Sequence, residues 1–82
     1  MHYVYIIECS DKTYYTGYTT DVERRVDEHN RGYGAKYTRG RLPVVLRYRE
    51  GFSTRSKAQK REYEIKQMSH GEKKRLIAKN PQ

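Results

Sequence analysis

A chain of 82 residues is long enough for one small domain and no more. Only 34% of the residues are apolar, and nine tyrosines with no tryptophan predict a thin core packed largely by tyrosine rings. The formal net charge of +8 favours a polyanionic partner, of which nucleic acid is the commonest.

The single cysteine, Cys9, excludes an internal disulfide and fits a reducing compartment. No segment approaches the length of a membrane span. The first residues carry neither a charged leader nor an apolar stretch of signal length. We therefore expect a cytoplasmic protein that has no membrane association.

The N-terminal half predicts a hairpin and a helix. Residues 2–8 and 13–18 are rich in Tyr, Val, Ile and Thr and predict two antiparallel strands, joined by a turn at 10–12. Thr20 fits the N-cap of a capping box with Glu23, for a helix over about 21–31 that stops at Gly32.

The C-terminal half predicts a strand and two more helices. Residues 32–41 are predicted to be a loop, followed by a third strand over 44–50. Ser53 or Thr54 begins a second helix that runs to about Met68. A capping box at Ser69 begins a final helix over 69–79, anchored by Leu76 and Ile77, and the tail at 80–82 is predicted to fray.

The order β-β-α-β-α-α predicts an α+β fold, because three short strands need helices to cover a face. We expect a small three-stranded, mainly antiparallel sheet flanked by helices, in one domain over residues 1–82.

Three polar residues fall where apolar ones are expected. Arg25 and His29 share the helical stripe of Val22 and Val26, and Glu62 shares the stripe of the second predicted helix. A carboxylate in such a place is costly unless it is paired or holds a metal. One interpretation is an internal Arg25–Glu62 salt bridge, and the other is an active site with a cation, a carboxylate and a histidine on one wall.

The tripeptides at 3–5 and 15–17, Tyr-Val-Tyr and Tyr-Thr-Gly, are followed by Arg25, His29 and Glu62. This ordered set, over residues 2–66, resembles the GIY-YIG nuclease superfamily and its short stand-alone members. Two positions depart from the motifs, since the first tripeptide lacks its glycine and the second carries threonine in place of isoleucine.

The resemblance implies a metal-dependent endonuclease that hydrolyses DNA phosphodiester bonds in repair, recombination or other DNA processing. It implies that Glu62 holds one Mg²⁺ or Mn²⁺ and no organic cofactor is needed. It also implies that Arg25 binds the scissile phosphate and stabilises its developing charge.

For the proton transfer the resemblance leaves alternatives open. Tyr5 would be the general base that activates water, or Tyr15 would share that task by hydrogen bonding. His29 could instead be the base, or could bind a substrate oxygen. Gly17 would allow a close approach of the backbone that a side chain would block.

A shared site requires Tyr5 and Tyr15 to face the same side of the sheet. Side chains alternate along a strand, so a two-residue turn at 11–12 would turn Tyr15 to the face opposite Tyr5. We predict a loop with an odd number of residues, or a bulge, which brings the two tyrosines together.

The predicted loop at 32–41 is basic and contains an aromatic residue. It could grip a DNA backbone and stack a base, or it could be a solvated loop whose tyrosine packs on the domain edge. The residues considered for DNA contact are Lys36, Tyr37, Arg39 and Arg41.

The expected partner is DNA, including branched or single-stranded forms, bound by a monomer. A first alternative is a nucleic-acid-binding module of the same fold that has lost catalysis. A second is a small interaction protein whose basic face docks an acidic protein. Metal-dependent cleavage and a salt-sensitive preference for DNA would distinguish these three hypotheses.

Overall fold

The computed structural model describes residues 1–80 as a three-stranded antiparallel sheet, in the order β2-β1-β3, with helices on both faces. The strands are β1 His2–Glu8, β2 Tyr14–Thr19 and β3 Val45–Phe52. The helices are α1 Val22–Asn30, α2 Lys36–Arg39, α3 Arg55–Lys66 and α4 His70–Lys79. None of these helices has the length and apolar character that a bilayer span requires.

Two cores form because the central strand β1 is buried on both sides and its side chains alternate. Val4 and Ile6 point to one face, where they pack with residues of α3 and, more loosely, α4. Tyr5 and Ile7 point to the other face and pack with Val22 at the start of α1. We call these the α3 face and the α1 face.

The predicted α+β class and antiparallel sheet are confirmed, with one additional helix in the order. The predicted loop at 32–41 contains the four-residue helix α2. A helix this short shows no full apolar period, so the sequence pattern could not reveal it. The third strand also runs two residues further than predicted, to Phe52.

Two of the three predicted helix starts are confirmed. Thr54 caps α3, and Ser69 forms the predicted capping box with Glu72 at the start of α4. The assignment of Thr20 is wrong, because Asp21 is the N-cap of α1 and its carboxylate accepts from the backbone N–H of Arg24. The fraying predicted for the tail falls largely on residues 81–82, which lie outside the described residues.

The hairpin between β1 and β2 has the predicted odd-numbered loop. Glu8 pairs with Tyr14, which leaves five residues, 9–13, in the connection. Tyr5 therefore pairs with Gly17, and Tyr15 pairs with Ile7. Tyr5 and Tyr15 lie on the same face of the sheet, toward α1.

Candidate active site

Tyr5 lies at the centre of the candidate site, with a side chain that is only 1% exposed. Its ring passes over Gly17 on the edge strand β2. A Cβ on Gly17 would lie 2.6 Å from the Cζ atom of Tyr5, closer than real side chains approach. The close approach expected at Gly17 is therefore made by the Tyr5 ring, which a larger residue would displace.

His29 projects from the last turn of α1 and is fully buried. Its Nε2 atom lies 2.8 Å from the hydroxyl oxygen of Tyr5, and its Nδ1 atom lies 3.0 Å from Oγ1 of Thr38. Burial, followed by the positive charge of Arg25, lowers the pKa of His29 to about 4. The imidazole is neutral at neutral pH, so one ring nitrogen is available to accept a proton.

The phenol of Tyr5 keeps its proton in the free protein, because burial raises its pKa to about 12. A hydrogen bond from Arg25 opposes this rise, and the charge of Glu62 adds to it. Arg25 is thus in contact with the phenol, and the Glu62 carboxylate is within electrostatic range of it.

The guanidinium of Arg25 is partly exposed, and its Nη1 atom lies 3.1 Å from Oε1 of Glu28 on the same helix. Because Glu28 stands beside it, Arg25 retains a carboxylate partner in the absence of substrate. The same guanidinium lies close enough to Tyr5 to oppose the rise in the pKa of its phenol, which places a cation beside that hydroxyl.

Glu62 lies on α3, with a side chain 19% exposed and its Oε2 atom 2.9 Å from the ammonium of Lys66. The internal Arg25–Glu62 salt bridge considered from the sequence is wrong, because each residue pairs within its own helix. Glu62 lies on the helix that packs on the α3 face, and the negative charge of its carboxylate acts on the Tyr5 hydroxyl. The groups considered for one wall therefore come from both faces of the sheet.

Tyr15 packs beside the imidazole, with its ring centroid 5.4 Å from that of His29 at an interplanar angle of 63°. On its outer side it stacks on Tyr37 at 6.0 Å. Tyr37 is 39% exposed and lies under the guanidinium of Arg41, whose carbon is 4.0 Å from the ring centroid. The aromatic residue of the basic segment thus adjoins the candidate site.

The four residues considered for DNA contact have different surroundings. Arg41 is tied to Asp11 at 2.9 Å and donates to the backbone carbonyl of Tyr37. Lys36 and Arg39 are exposed at opposite ends of α2. Tyr37 and Arg41 therefore form a fixed ledge next to Tyr15, and the other two cations lie outside it.

Two residues that the sequence pattern gave no role hold His29 in place. Thr38 is fully buried against Nδ1, and Gly34 lies so close that a Cβ there would collide with Nδ1 and lie 2.6 Å from Cγ. Their signal in the sequence is a glycine and a threonine in the segment that follows the histidine helix. Only the tertiary path of that segment reveals which side chain they contact.

The sequence and structure comparisons agree with one another. Residues 1–75 match the sequence profile of the GIY-YIG catalytic domain. A UPF0213 protein of Halobacterium salinarum is 67% identical over 77 residues, covering 94% of this chain and 100% of that protein. A UPF0213 protein of Staphylococcus haemolyticus is 58% identical over 76 residues, covering 93% of each. The solution NMR structure of a UPF0213 protein from Bacillus halodurans is 49% identical, with a TM-score of 0.64, covering 98% of this chain and 85% of that one.

Proposed function

Since the chain belongs to the GIY-YIG nuclease family, we propose that it is a divalent-metal-dependent endonuclease that hydrolyses DNA phosphodiester bonds. The observation that carries the proposal is the 2.8 Å hydrogen bond between Tyr5 and the buried His29, with Arg25 in contact with the same phenol. Polar groups are costly to bury, and three of them converge on one spot. Such convergence is typical of a site built for proton transfer and charge stabilisation.

Hydrolysis requires a water molecule to lose a proton as it attacks phosphorus. The Tyr5 phenol is a poor base by itself, because its pKa is raised to about 12 and it is protonated at neutral pH. A relay removes this difficulty. Tyr5 passes its own proton to Nε2 of His29 while Oη takes the proton of the attacking water, so His29 becomes an imidazolium and Tyr5 remains a phenol.

The relay is uphill in the free protein, because burial lowers the pKa of His29 to about 4. A bound phosphate changes this balance, since its negative charge favours the imidazolium. The contact between Arg25 and Tyr5 also favours negative charge on the phenolic oxygen during the transfer. Proton transfer is therefore tied to the presence of substrate.

Arg25 is proposed to bind a non-bridging oxygen of the scissile phosphate and to stabilise the charge that develops there. It presents several donors in a planar fork, and Glu28 keeps the guanidinium oriented before substrate arrives. Tyr15, packed against His29, is proposed to hold the water or the phosphate by a hydrogen bond from its hydroxyl.

Nucleases of this family use a divalent cation, and Glu62 is the residue proposed to hold it. Among residues 1–80 no group of three or more His, Cys, Asp or Glu side chains could surround a metal. A single carboxylate suits Mg²⁺ or Mn²⁺, which keep several waters and complete their shell with phosphate oxygens. Glu62 already attracts one cation, the Lys66 ammonium at 2.9 Å. When bound, the metal ion would stabilise negative charge on the phosphate and the leaving oxygen.

DNA is the proposed substrate, in a cytoplasmic repair, recombination or processing role. The net charge of +8 supports a phosphate backbone as the ligand. The ledge of Tyr37 and Arg41 adjoins Tyr15 and is proposed to contact the strand beside the scissile phosphate, with Lys36 and Arg39 as outer phosphate contacts. Branched and single-stranded DNA are candidate substrates for a chain proposed to act as one monomeric domain over residues 1–82.

The proposal is tested by cleavage of plasmid, single-stranded and branched DNA with Mn²⁺, Mg²⁺ or EDTA. Glu62→Gln and Arg25→Met are compared with the wild-type protein. We expect metal-dependent cutting by the wild type and a loss of at least roughly 100-fold in each variant, the usual effect of removing one electrostatic stabiliser.

Each variant has a matched control on the same helix. Glu64→Gln alters an exposed carboxylate two residues from Glu62, and Arg24→Met alters an exposed guanidinium beside Arg25. Both controls are expected to cut like the wild type. If no protein cuts any substrate while all bind DNA alike, the chain is a binding module and the nuclease proposal is wrong.

A further inference from the structure

The Thr38 hydroxyl lies between the carbonyl oxygen of Ala35 and Nδ1 of His29, and it has only one proton to donate. Its side chain is fully buried on α2, with Oγ1 2.8 Å from the carbonyl oxygen of Ala35 and 3.0 Å from Nδ1 of His29. A hydroxyl donates one hydrogen bond and can accept others. The partner that cannot itself supply a proton therefore decides how the hydroxyl is oriented.

The Ala35 carbonyl can only accept, so the Thr38 hydroxyl donates to it. Its oxygen then presents a lone pair to Nδ1 of His29, and the 3.0 Å contact is a hydrogen bond only if Nδ1 carries the proton. The backbone N–H of Ala35 also points at Nδ1 and would favour the opposite tautomer, but at 3.4 Å it is the longer and weaker contact. The two shorter contacts together favour the tautomer with the proton on Nδ1.

We propose that Thr38 is a positioning residue that holds His29 in its Nδ1–H tautomer and thereby leaves Nε2 free to accept the proton of Tyr5. The proposal rests on the function proposed above, to which it adds the residue that prepares the proton acceptor. Thr38 touches neither the phenol nor a substrate, and it acts entirely through the imidazole.

The tautomer determines in which direction the proton of the 2.8 Å bond points. With Nδ1 protonated, Nε2 is a lone pair and the Tyr5 hydroxyl donates to it, which is the starting geometry of the relay. With Nε2 protonated, His29 would donate to Tyr5 and could not take its proton. After transfer, the imidazolium keeps its Nδ1–H bond to Thr38, so the same hydrogen bond stabilises His29 both before and after it takes the proton.

The path of the 34–38 segment makes this contact possible. Gly34 passes directly beside the imidazole, where any side chain would collide with Nδ1. Ala35 then forms the N-cap of α2, and Thr38 follows on the first helical turn with its hydroxyl beside Nδ1. The segment closes over His29 and buries the Thr38 hydroxyl away from water, which would otherwise compete for Nδ1.

The tautomer can be read without substrate by two-bond ¹H–¹⁵N NMR of the histidine rings at pH 7, where the lowered pKa of His29 keeps its ring neutral. The chain has three histidines, and a His29→Gln sample assigns the signals. We expect the wild-type His29 ring to be protonated at Nδ1. An Nε2-protonated wild-type ring would overturn the proposal by itself, whatever the variants do.

Thr38→Val removes the hydroxyl and keeps the shape, and Thr38→Ser keeps the hydroxyl. In Thr38→Val the Ala35 N–H becomes the nearest partner of Nδ1, so we expect the tautomer ratio to move about tenfold or more toward Nε2–H. Thr38→Ser is expected to restore the wild-type spectrum. A Thr38→Val ring still protonated at Nδ1 contradicts the proposal.

Cleavage assays on the same samples separate this inference from the nuclease function. We expect Thr38→Val to lower kcat with KM unchanged, and Thr38→Ser to recover kcat. A kcat unaffected by the tautomer shift overturns the positioning role. If the spectra behave as expected but the wild-type protein cuts nothing, the tautomer assignment stands and the nuclease function fails.

Discussion

The two faces of the sheet each bury a tyrosine whose pKa is raised to about 12, Tyr5 on the α1 face and Tyr48 on the α3 face. Burial is the largest cause in both cases. The partners differ, because the Tyr48 hydroxyl donates to the carboxylate of Glu50, whereas the Tyr5 hydroxyl meets the neutral ring of His29.

The difference separates a structural phenol from one that can exchange its proton. Glu50 is an anion that also accepts from Arg61, and losing the Tyr48 proton would place two negative charges side by side. His29 is a neutral acceptor, so accepting the Tyr5 proton creates a cation and places no second negative charge beside the phenolic oxygen. A raised pKa therefore identifies a buried phenol, and the partner of its hydroxyl determines whether the proton can move.

The largest expected effect comes from removing the hydroxyl of Tyr5, and removal of the Tyr48 hydroxyl is its control. Tyr5→Phe should lower the cleavage rate by roughly 10²- to 10⁴-fold, the usual range for losing a general acid–base group. Tyr48→Phe should leave the rate unchanged and cost about 1 kcal/mol of unfolding free energy through its lost hydrogen bond to Glu50. Single-turnover cleavage and urea unfolding measure the two quantities. Equal losses of activity in both variants would erase the distinction between the faces.

The pH dependence of stability tests His29, the buried histidine of the α1 face. Burial lowers the pKa of His29 to about 4, so between the ordinary value near 6.5 and pH 4 the unfolded chain binds a proton that the folded one does not. The unfolding free energy should therefore fall as the pH falls, by about 1.2 kcal/mol between pH 6 and 5 and by about 3 kcal/mol in all.

His29→Gln is the control for this slope, which should disappear between pH 6 and 5 in urea unfolding experiments. The carboxylates of Asp11, Glu23 and Glu72 have lowered pKa values, so the stability they contribute is lost only at lower pH. A wild-type curve that is flat from pH 6.5 to 5 would show that His29 is not buried as a neutral ring.

Two glycines of the 32–41 segment differ in what a methyl group would meet. At Gly34 it would collide with the His29 ring, and at Gly40 it would meet nothing within 4 Å. Gly34→Ala is expected to lower the unfolding free energy by about 1–3 kcal/mol, as overpacking does, and to lower cleavage because His29 moves. Gly40→Ala should change neither, apart from a gain of up to about 1 kcal/mol from a stiffer unfolded chain. Similar effects in both variants would mean that the segment does not close on His29.

The sequence predicts the features of the fold that depend on residues close together in the chain. Strand alternation and the caps at Thr54 and Ser69 depend on neighbouring residues and are confirmed. Thr20 and Asp21 are both good capping residues, so sequence preference alone could not choose between them. The odd-numbered hairpin loop was predictable because it is required for Tyr5 and Tyr15 to share a face.

The contacts of the site are harder to predict, because they join elements that are distant in the sequence. The Thr38–His29 hydrogen bond depends on α2, a four-residue helix that is too short to be predicted from hydrophobic periodicity. Arg25 and Glu62 were considered partners because both interrupt apolar stripes. Their pairs within the same helix, to Glu28 and Lys66, follow from spacings of three and four residues, which bring side chains together without any tertiary contact.

The smallest expected effect concerns the position where the second motif carries threonine in place of isoleucine. Thr16 points to the α3 face, and among the described residues its buried Oγ1 has no hydrogen-bond partner. Burying an unpaired hydroxyl costs about 1–3 kcal/mol in proteins, and valine has the same shape and strand preference. Thr16→Val should therefore raise the unfolding free energy by about 1 kcal/mol in urea, without a change in cleavage.

Thr38→Val makes the same chemical change on the α1 face and should have the opposite sign. It leaves Nδ1 of His29 without its Thr38 partner, which should lower the unfolding free energy by about 1–3 kcal/mol. If both substitutions destabilise the protein, Thr16 has a partner that its surroundings do not reveal. If both stabilise it, the hydroxyl of Thr38 is not needed by His29. Opposite signs would show that the Thr38 hydroxyl stabilises the fold through its hydrogen bonds, whereas the Thr16 hydroxyl makes no stabilising hydrogen bond.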